Sequence, residues 1–202
     1  MAFSARIERT INACITAHHG QTRKGDGSIH YAVHPIHMAL LLARVGVGDT
    51  VIQGALLHDT VEDCDDWTLE RVREEFGAEV AEVVEHLTEE KRAADGTPLP
   101  WEVRKSAAIA HVPDMPWEAA VVKAADKLHN LHSLAEQLEA ASDPAQVWGS
   151  FKGGPEGTLR VAREVVGALQ SRGGEPLPPA LLEELAAVLQ RLEQLTRGSQ
   201  QG

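Results

Sequence analysis

The chain has 202 residues, of which 43% are apolar, and a formal net charge of −11. This length suits one compact domain with a sizeable core, and the apolar fraction is too high for a disordered chain. The acidic balance argues against a nucleic acid polymer as partner, because duplex binding needs clustered Lys and Arg, and no apolar run approaches the roughly 18 residues of a membrane helix.

Leu, Ala, Glu and Val recur at helical spacing, and no alternating strand of useful length occurs, which predicts an all-α fold. The first helix is predicted from about Ser4 to His19, and its Arg, Glu and His residues interrupt the apolar core that a signal peptide needs. We therefore expect a cytoplasmic protein, in which Cys14 and Cys64 are free reduced thiols. A loop with two glycines follows at Gln21 to Ile29.

The remaining helices are predicted from periodicity, Pro and Gly positions and capping residues. They span about His34–Arg44, Asp49 or Thr50 to Asp63, Arg71–Phe76, Ala78–Leu87, Trp101–Ala110, Pro116–Leu138, Thr158–Gln170 and Pro179–Thr196, with a short piece opened by Asp143-Pro144 and a glycine-rich loop at Phe151–Gly157. We expect one domain over residues 1–172, followed by a linker and a C-terminal helix over residues 173–202. The leucine stripe of that helix predicts packing on the core or on a second copy of the chain, the second case giving a homo-oligomer.

Polar residues interrupt an otherwise apolar helix at the sequence GALLHDTVED. Helical spacing places Glu62 one turn from His58, and Asp63 one turn from Asp59. Three carboxylates and an imidazole would be costly to bury together, and a divalent cation relieves both the repulsion and the burial cost. The alternative is a solvated acidic helix end.

A second apolar helix carries the sequence VVKAADKLHNLHSL, in which Asp126 falls within the buried pattern. Aspartate is rarely buried without a partner, and Asn130 follows one turn later on the same face. This pattern predicts either a metal ligand or an internal salt bridge with Lys or Arg.

Together with His34, these residues form a mixed imidazole and carboxylate set that suits Mn, Fe, Zn, Ni or Co, with Mn²⁺ favoured by additional oxygen ligands. Such a site can activate water, and Glu62 and Asp63 are the carboxylates placed to take its proton. Arg23 and Lys24 precede His34 in a Gly-containing loop, and they either bind a nucleotide or are simply solvated.

The ordered set GQ.RK, YxxHP, ALLHDxVED, FGAEVAEVVEHLTEEK and ADKLHNL, from about Ala13 to Leu134, resembles the HD superfamily. More narrowly, it resembles the hydrolase domains of RelA/SpoT-type enzymes and the stand-alone small alarmone hydrolases. The resemblance implies an HD-domain helical bundle around a metal site, and removal of the 3′-pyrophosphate from ppGpp or pppGpp, usually with Mn²⁺.

The same resemblance implies a role for each matching residue. His34, His58, Asp59 and Asp126 would be the metal ligands, and Glu62 and Asp63 would activate water and handle the ribose 3′ side. Arg23 and Lys24 would contact the guanine base, with Asn130 and Ser133 on the opposite wall, whereas His129 would serve only in packing.

Some features of the sequence depart from the family pattern. The loop between Lys24 and His34 is longer than usual, and His30 stands where a proline is common, which bears on nucleotide selectivity. Trp148, Phe151 and Lys152 would either pack internally or border the pocket. The alternatives to an alarmone hydrolase are the same site acting on (p)ppApp or on the 2′-phosphate of NADPH, or a non-catalytic nucleotide-binding module. The intact Glu62-Asp63 pair argues against the last.

Overall fold

The structure is a computed structural model that describes residues 4–23 and 27–198. Within these residues every regular element is helical, and the only extended pairings are two isolated bridges, Thr22 with His30 and Arg92 with Pro98. The all-α prediction is confirmed. None of the described helices is both long and apolar enough to cross a bilayer. Cys14 and Cys64 are both free thiols, as predicted.

The chain forms two compact units, and neither is a continuous stretch of sequence. The first unit contains the described part of residues 1–88 together with residues 115–126. Its helices are α1 (Ala5–Ala17), α2 (Val33–Arg44), α3 (Asp49–Leu57), α4 (Thr60–Asp63), α5 (Leu69–Phe76), α6 (Ala78–Leu87) and the first part of α8 (Trp117–Ala140). Helix α3 is central to the unit because it packs against α1, α2 and α6.

The second unit contains residues 89–114 and the chain from residue 127 onwards. Its elements are α7 (Trp101–His111), a short 3₁₀ helix (Val112–Asp114), the second part of α8, α9 (Pro144–Gly149), α10 (Gly154–Ser171) and α11 (Pro179–Gly198). Helix α11 packs on α10, and the apolar stripe of α11 is buried through Leu181, Leu185, Val188 and Leu192. The predicted domain boundary at residue 172 stays a prediction.

Side-chain caps explain where several helices begin. The Ser4 hydroxyl accepts a hydrogen bond from the backbone of Ile7 at the start of α1, and Thr68 and Asp143 cap α5 and α9 in the same way. Gly77 lies between α5 and α6 with a φ of 99°, a conformation that favours glycine.

Helices α3 and α6 approach closely at Gly54. A Cβ atom added at this glycine would clash with Cγ1 of Val83, so any side chain at this position would require Val83 or its helix to shift. The absence of a side chain at Gly54 therefore sets the spacing between α3, which leads directly to His58, and the helix packed behind it.

The prediction of one helix continuing to Asp63 was wrong, because the helix breaks at His58 and Asp59. Helix α3 ends at Leu57, and α4 restarts at Thr60. Two side chains form hydrogen bonds to backbone carbonyl oxygens near the break. The His58 ring binds the carbonyl oxygen of Ala55 at 2.8 Å, and the Thr60 hydroxyl donates to that of Leu57 at 2.7 Å. Such local bonds compete with the backbone bonds of a continuous helix.

The glycine-rich segment at residues 151–157 was predicted to be a loop, but α10 already begins at Gly154. Pro155 suits the first turn of a helix, because its missing N–H group would have no partner there. The glycines serve packing here: a Cβ atom on Gly153 would lie 2.5 Å from the ring of Trp101. In the same region Trp148 is buried, and its ring packs edge-on against Phe151 at 5.9 Å.

Candidate metal centre

Three of the four predicted metal ligands meet within the first unit. His34 lies at the start of α2, His58 directly follows α3, and Asp126 lies in the middle of α8. Their ligand atoms all lie within 4.8 Å of one another. His34 Nε2 is 3.3 Å and His58 Nε2 is 3.9 Å from Asp126 Oδ1, and the two imidazole rings pack edge to face. All three residues are at least nine-tenths buried.

Asp59 lies beside this group without being part of it. Its Oδ2 atom is 2.9 Å from His58 Nε2. The same oxygen accepts a short hydrogen bond from the hydroxyl group of Tyr31. The Asp59 carboxylate therefore contacts one of the three converging residues directly, and the same oxygen is held by Tyr31.

The state of His58 provides a test of whether these residues fit a divalent cation. Nδ1 of His58 lies 2.8 Å from the Ala55 carbonyl oxygen and donates its N–H there, which leaves Nε2 directed towards the carboxylates. That Nε2 atom is buried and makes no hydrogen bond of normal geometry. The ligand atoms of His34, His58 and Asp126 all lie within 4.8 Å of one another, so one cation between them could contact all three. The donor set and its geometry fit a divalent cation.

The charges of the group also suit a cation. Burial lowers the pKa of His34, so this ring is neutral at pH 7, as a metal ligand must be. Burial also acts to lower the pKa of His58, but the carboxylates of Asp59 and Asp126 outweigh it and raise that pKa to about 9. Burial acts to raise the pKa of Asp59, whereas His58 and Tyr31 hold it well below its usual range. The ionised Asp59 carboxylate thus lies beside a protonated His58, whose proton a divalent cation can replace.

Glu62 and Asp63, predicted to activate water, both lie in α4. The Asp63 amide donates to the Asp59 carbonyl oxygen at 2.9 Å, which preserves the predicted one-turn spacing across the helix break. Glu62 is half-buried and Asp63 is exposed, and neither belongs to the group of converging ligand atoms. Their catalytic roles stay predictions.

The residues predicted to bind substrate lie in two places. Arg23 is half-buried in the first unit, with its guanidinium carbon 5.6 Å from the centre of the Tyr31 ring. Lys24 lies outside the described residues. Asn130 and Ser133 lie on α8, one and two turns after Asp126, and their contacts with substrate stay predictions.

His129, predicted to serve in packing only, is buried, and its Nδ1 atom lies 3.4 Å from the Ser133 hydroxyl. It is not one of the residues whose ligand atoms converge with those of His34, His58 and Asp126.

Residue-by-residue reasoning missed a layer of side chains behind the ligands. Tyr31 touches Asp59 through its hydroxyl, and its ring lies 4.6 Å from that of His18 and 5.9 Å from that of His34, centre to centre. Gln21 binds His18 Nδ1 at 2.8 Å and donates to the Asp63 carbonyl oxygen at 2.8 Å. The motif YxxHP contained the signal for Tyr31, since it places a tyrosine one helical turn before His34.

Comparison with known proteins points to one family. A family model described as HD domain matches residues 12–158, most of the chain. The relatives include proteins named guanosine-3′,5′-bis(diphosphate) 3′-pyrophosphohydrolase MESH1. The zebrafish (Danio rerio) protein is 39% identical and the human (Homo sapiens) protein 42% identical over 133 residues, which cover 65% of this chain and 70% of each relative.

Similar solved structures agree with this result. One, described as a metazoan ortholog of SpoT that hydrolyses ppGpp, has a TM-score of 0.74, covers 98% of this chain and 99% of its own, and is 24% identical, so it supports the fold alone. Another, from Listeria monocytogenes EGD-e, has a TM-score of 0.67 and is 32% identical over 80% of this chain and 96% of its own. The buried histidine and aspartate group lies within the matched residues, and the chain belongs to the HD domain family.

Proposed function

We propose that this protein is a hydrolase that removes the pyrophosphate from the 3′ position of ppGpp and pppGpp. The observation that carries the proposal is the buried convergence of His34, His58 and Asp126 within an HD domain. Support for the substrate comes from the relatives, since proteins named as guanosine-3′,5′-bis(diphosphate) 3′-pyrophosphohydrolases are 38–42% identical to this chain.

His34, His58, Asp59 and Asp126 would hold one divalent cation, and the mixture of imidazole and carboxylate donors favours Mn²⁺. When bound, the cation supplies Lewis acidity for the phosphoryl oxygens and lowers the pKa of coordinated water. The protein contributes a buried setting, because all three converging residues are shielded from solvent, and a fixed ring orientation, because His58 donates to the Ala55 carbonyl oxygen.

The reaction consumes one water molecule. The water oxygen bonds to the phosphorus that is linked to the ribose 3′ oxygen, and the bond between that phosphorus and the 3′ oxygen breaks. Glu62 and Asp63 are the carboxylates assigned to take the water proton and to return a proton to the ribose 3′ oxygen. The products are GDP or GTP and pyrophosphate, so no further reactant is needed.

Arg23 and Lys24 are assigned to the guanine base, and Asn130 and Ser133 are also assigned to substrate binding. The contact of the Arg23 guanidinium group with the Tyr31 ring supports this assignment for Arg23, because it places the side chain next to a residue that itself contacts Asp59. An arginine held in this way can stack on a base or bind its edge with parallel hydrogen bonds.

The test is a product assay with purified protein and Mn²⁺, using ppGpp, pppGpp, pppApp and NADPH as separate substrates and anion-exchange chromatography to identify products. We expect pyrophosphate with GDP from ppGpp and with GTP from pppGpp, and no turnover in excess chelator. The Asp126→Ala variant is the matched control for a contaminating enzyme. Faster release of phosphate from NADPH, or hydrolysis of pppApp alone, would overturn the assignment of substrate. Absence of turnover with all four substrates would overturn the proposed hydrolase activity.

A further inference from the structure

Tyr31 is the only tyrosine in the sequence. It is surrounded by residues of the metal site and by Arg23, which is assigned to the nucleotide. It lies in the turn before α2, where its backbone amide donates to the Gln21 carbonyl oxygen at 2.9 Å. Its hydroxyl contacts the Asp59 carboxylate, and its ring contacts Arg23, His18 and His34. Tyr31 is neither a proposed metal ligand nor one of the residues assigned to water activation or to the nucleotide.

The hydrogen bond between Tyr31 and Asp59 runs from the tyrosine to the carboxylate, since a phenol hydroxyl group donates and a carboxylate oxygen accepts. The tyrosine hydroxyl therefore donates to Asp59 Oδ2, the oxygen that lies 2.9 Å from His58 Nε2.

The ring of Tyr31 is held on several sides, which fixes where its hydroxyl can be. The His18 ring lies 4.6 Å away, tilted by 36°, and the His34 ring meets it edge-on at 5.9 Å and 73°. His18 is itself fully buried and held at Nδ1 by Gln21. A donor fixed in this way removes rotational freedom from the carboxylate that it binds, which is how groups behind metal ligands tune metal affinity.

The Arg23 guanidinium carbon lies 5.6 Å from the centre of the Tyr31 ring, within the range of a cation–π contact. Tyr31 thus contacts Asp59 through its hydroxyl and Arg23 through its ring. Because these contacts use different atoms of one side chain, the hydroxyl contact can be removed while the ring contact stays.

We propose that Tyr31 is a positioning residue that orients Asp59 for a divalent cation through its hydroxyl and orients Arg23 for the nucleotide through its ring. The inference rests on the proposed function for the identity of the site. It goes further by assigning two separable tasks to a residue outside the ligand set.

The hydroxyl is tested by the Tyr31→Phe variant, with Mn²⁺ alone as probe and no nucleotide present. Competition between protein and a fluorescent chelator measures the dissociation constant for Mn²⁺. We expect binding to weaken by about 10- to 100-fold, the usual effect of removing a group behind a metal ligand. We also expect kcat to recover at saturating Mn²⁺ and KM for ppGpp to stay near the wild-type value, because the ring remains.

The ring is tested by Tyr31→Leu, which removes both contacts. We expect the same loss of Mn²⁺ affinity as in Tyr31→Phe, and in addition a rise in KM for ppGpp at saturating Mn²⁺. In this background the Arg23→Ala change should raise KM much less than it does in the wild-type protein, because the two substitutions remove one shared contact.

Thr10→Val provides the matched control for losing a hydroxyl within the first unit. The Thr10 hydroxyl is buried and accepts a hydrogen bond from Gln53 at 2.9 Å, away from the metal ligands. This variant should lower the unfolding temperature measured in chelator and leave the Mn²⁺ affinity unchanged. Wild-type Mn²⁺ affinity in Tyr31→Phe would overturn the role of the hydroxyl, and additive KM effects of Tyr31→Leu and Arg23→Ala would overturn that of the ring. Because the Mn²⁺ measurement needs no hydrolysis, it tests the role of the hydroxyl even if the protein does not hydrolyse ppGpp.

Discussion

At the scale of single residues, the site depends on His58 being shared between two carboxylates. Asp59 Oδ2 lies 2.9 Å and Asp126 Oδ1 3.9 Å from its Nε2 atom, and Asp126 also lies 3.3 Å from His34. Removal of either carboxylate takes away a negative charge beside the buried His58 ring and also one proposed donor to the cation. Each predicted ligand should therefore be needed for both metal content and activity.

The first prediction concerns the four proposed ligands. We expect His34→Ala, His58→Ala, Asp59→Ala and Asp126→Ala each to lose bound Mn²⁺ and hydrolysis together, because each supplies a donor to one cation. Metal analysis of the purified variants, alongside the product assay, checks this expectation. The surface change Glu74→Ala, at an exposed position on α5, serves as the control. Full metal occupancy in any one ligand variant would remove that residue from the set.

The second prediction separates holding the cation from using water. Glu62→Gln and Asp63→Asn keep the size of each side chain but cannot take a proton as a carboxylate does. We expect Mn²⁺ content to be retained and kcat to fall at least about 100-fold, the lower range for a positioned acid or base. Steady-state rates at saturating ppGpp measure this effect. If kcat stayed within about threefold of wild type in both variants, against that expected loss, α4 would be only a solvated acidic turn.

The prediction that His34, His58 and Asp126 share one site came from the ordered set of motifs and its resemblance to the HD superfamily. The apolar pattern around Asp126 supported it, because a buried aspartate needs a partner. Sequence reasoning could not predict the position of Tyr31. The hydroxyl of Tyr31 contacts Asp59 while its ring packs against His18, and both contacts depend on how the loop after α1 folds back. No periodicity in the sequence encodes such a contact.

At the scale of helices, the direct contact between α3 and α6 positions α3, the helix that directly precedes His58. Periodicity predicted α6 well, since this helix spans Ala78–Leu87 as expected. Periodicity missed the break after Leu57, because the break depends on side-chain bonds from His58 and Thr60 to nearby carbonyl groups rather than on hydropathy. Periodicity also missed the early start of α10. Gly153, which directly precedes this helix, packs against the ring of Trp101, a residue far away in the sequence.

The third prediction tests the contact between α3 and α6. In Gly54→Ala the new methyl group would lie 2.4 Å from Val83 Cγ1, so we expect a loss of about 1–3 kcal/mol in the free energy of unfolding, as for other overpacked cores. Denaturant titration monitored by circular dichroism measures this loss. The second change Val83→Ala should restore part of it, because it removes the clashing atoms.

Gly167→Ala provides the control for Gly54→Ala. Gly167 lies within α10, and a Cβ atom there would meet nothing within 4 Å. Alanine should stabilise the protein by up to about 1 kcal/mol at this position, because it has the higher helix propensity. Equal effects of the two substitutions would show that propensity, and not the close approach of α3 and α6, governs position 54.

At the scale of the whole molecule, all four proposed ligands belong to the first unit. The fourth prediction follows from this distribution. Saturating Mn²⁺ should stabilise the protein by about 2.7 kcal/mol at a free concentration of 100 times the dissociation constant. In hydrogen exchange, the protection gained should be larger in α2 and α3 than in α10 and α11. The Asp126→Ala variant should show neither change, and equal protection of all helices in the wild-type protein would contradict the assignment.

The interleaving of the two units has a consequence for how the protein is made. The first unit is completed only by residues 115–126, which follow a segment that belongs to the second unit. A chain emerging from the ribosome therefore presents His34, His58 and Asp59 well before Asp126, and the binding free energy of a cation cannot contribute to folding until that residue has emerged. We expect unfinished chains that stop before Asp126 to lack the site altogether, so that interrupted translation releases no partly active hydrolase.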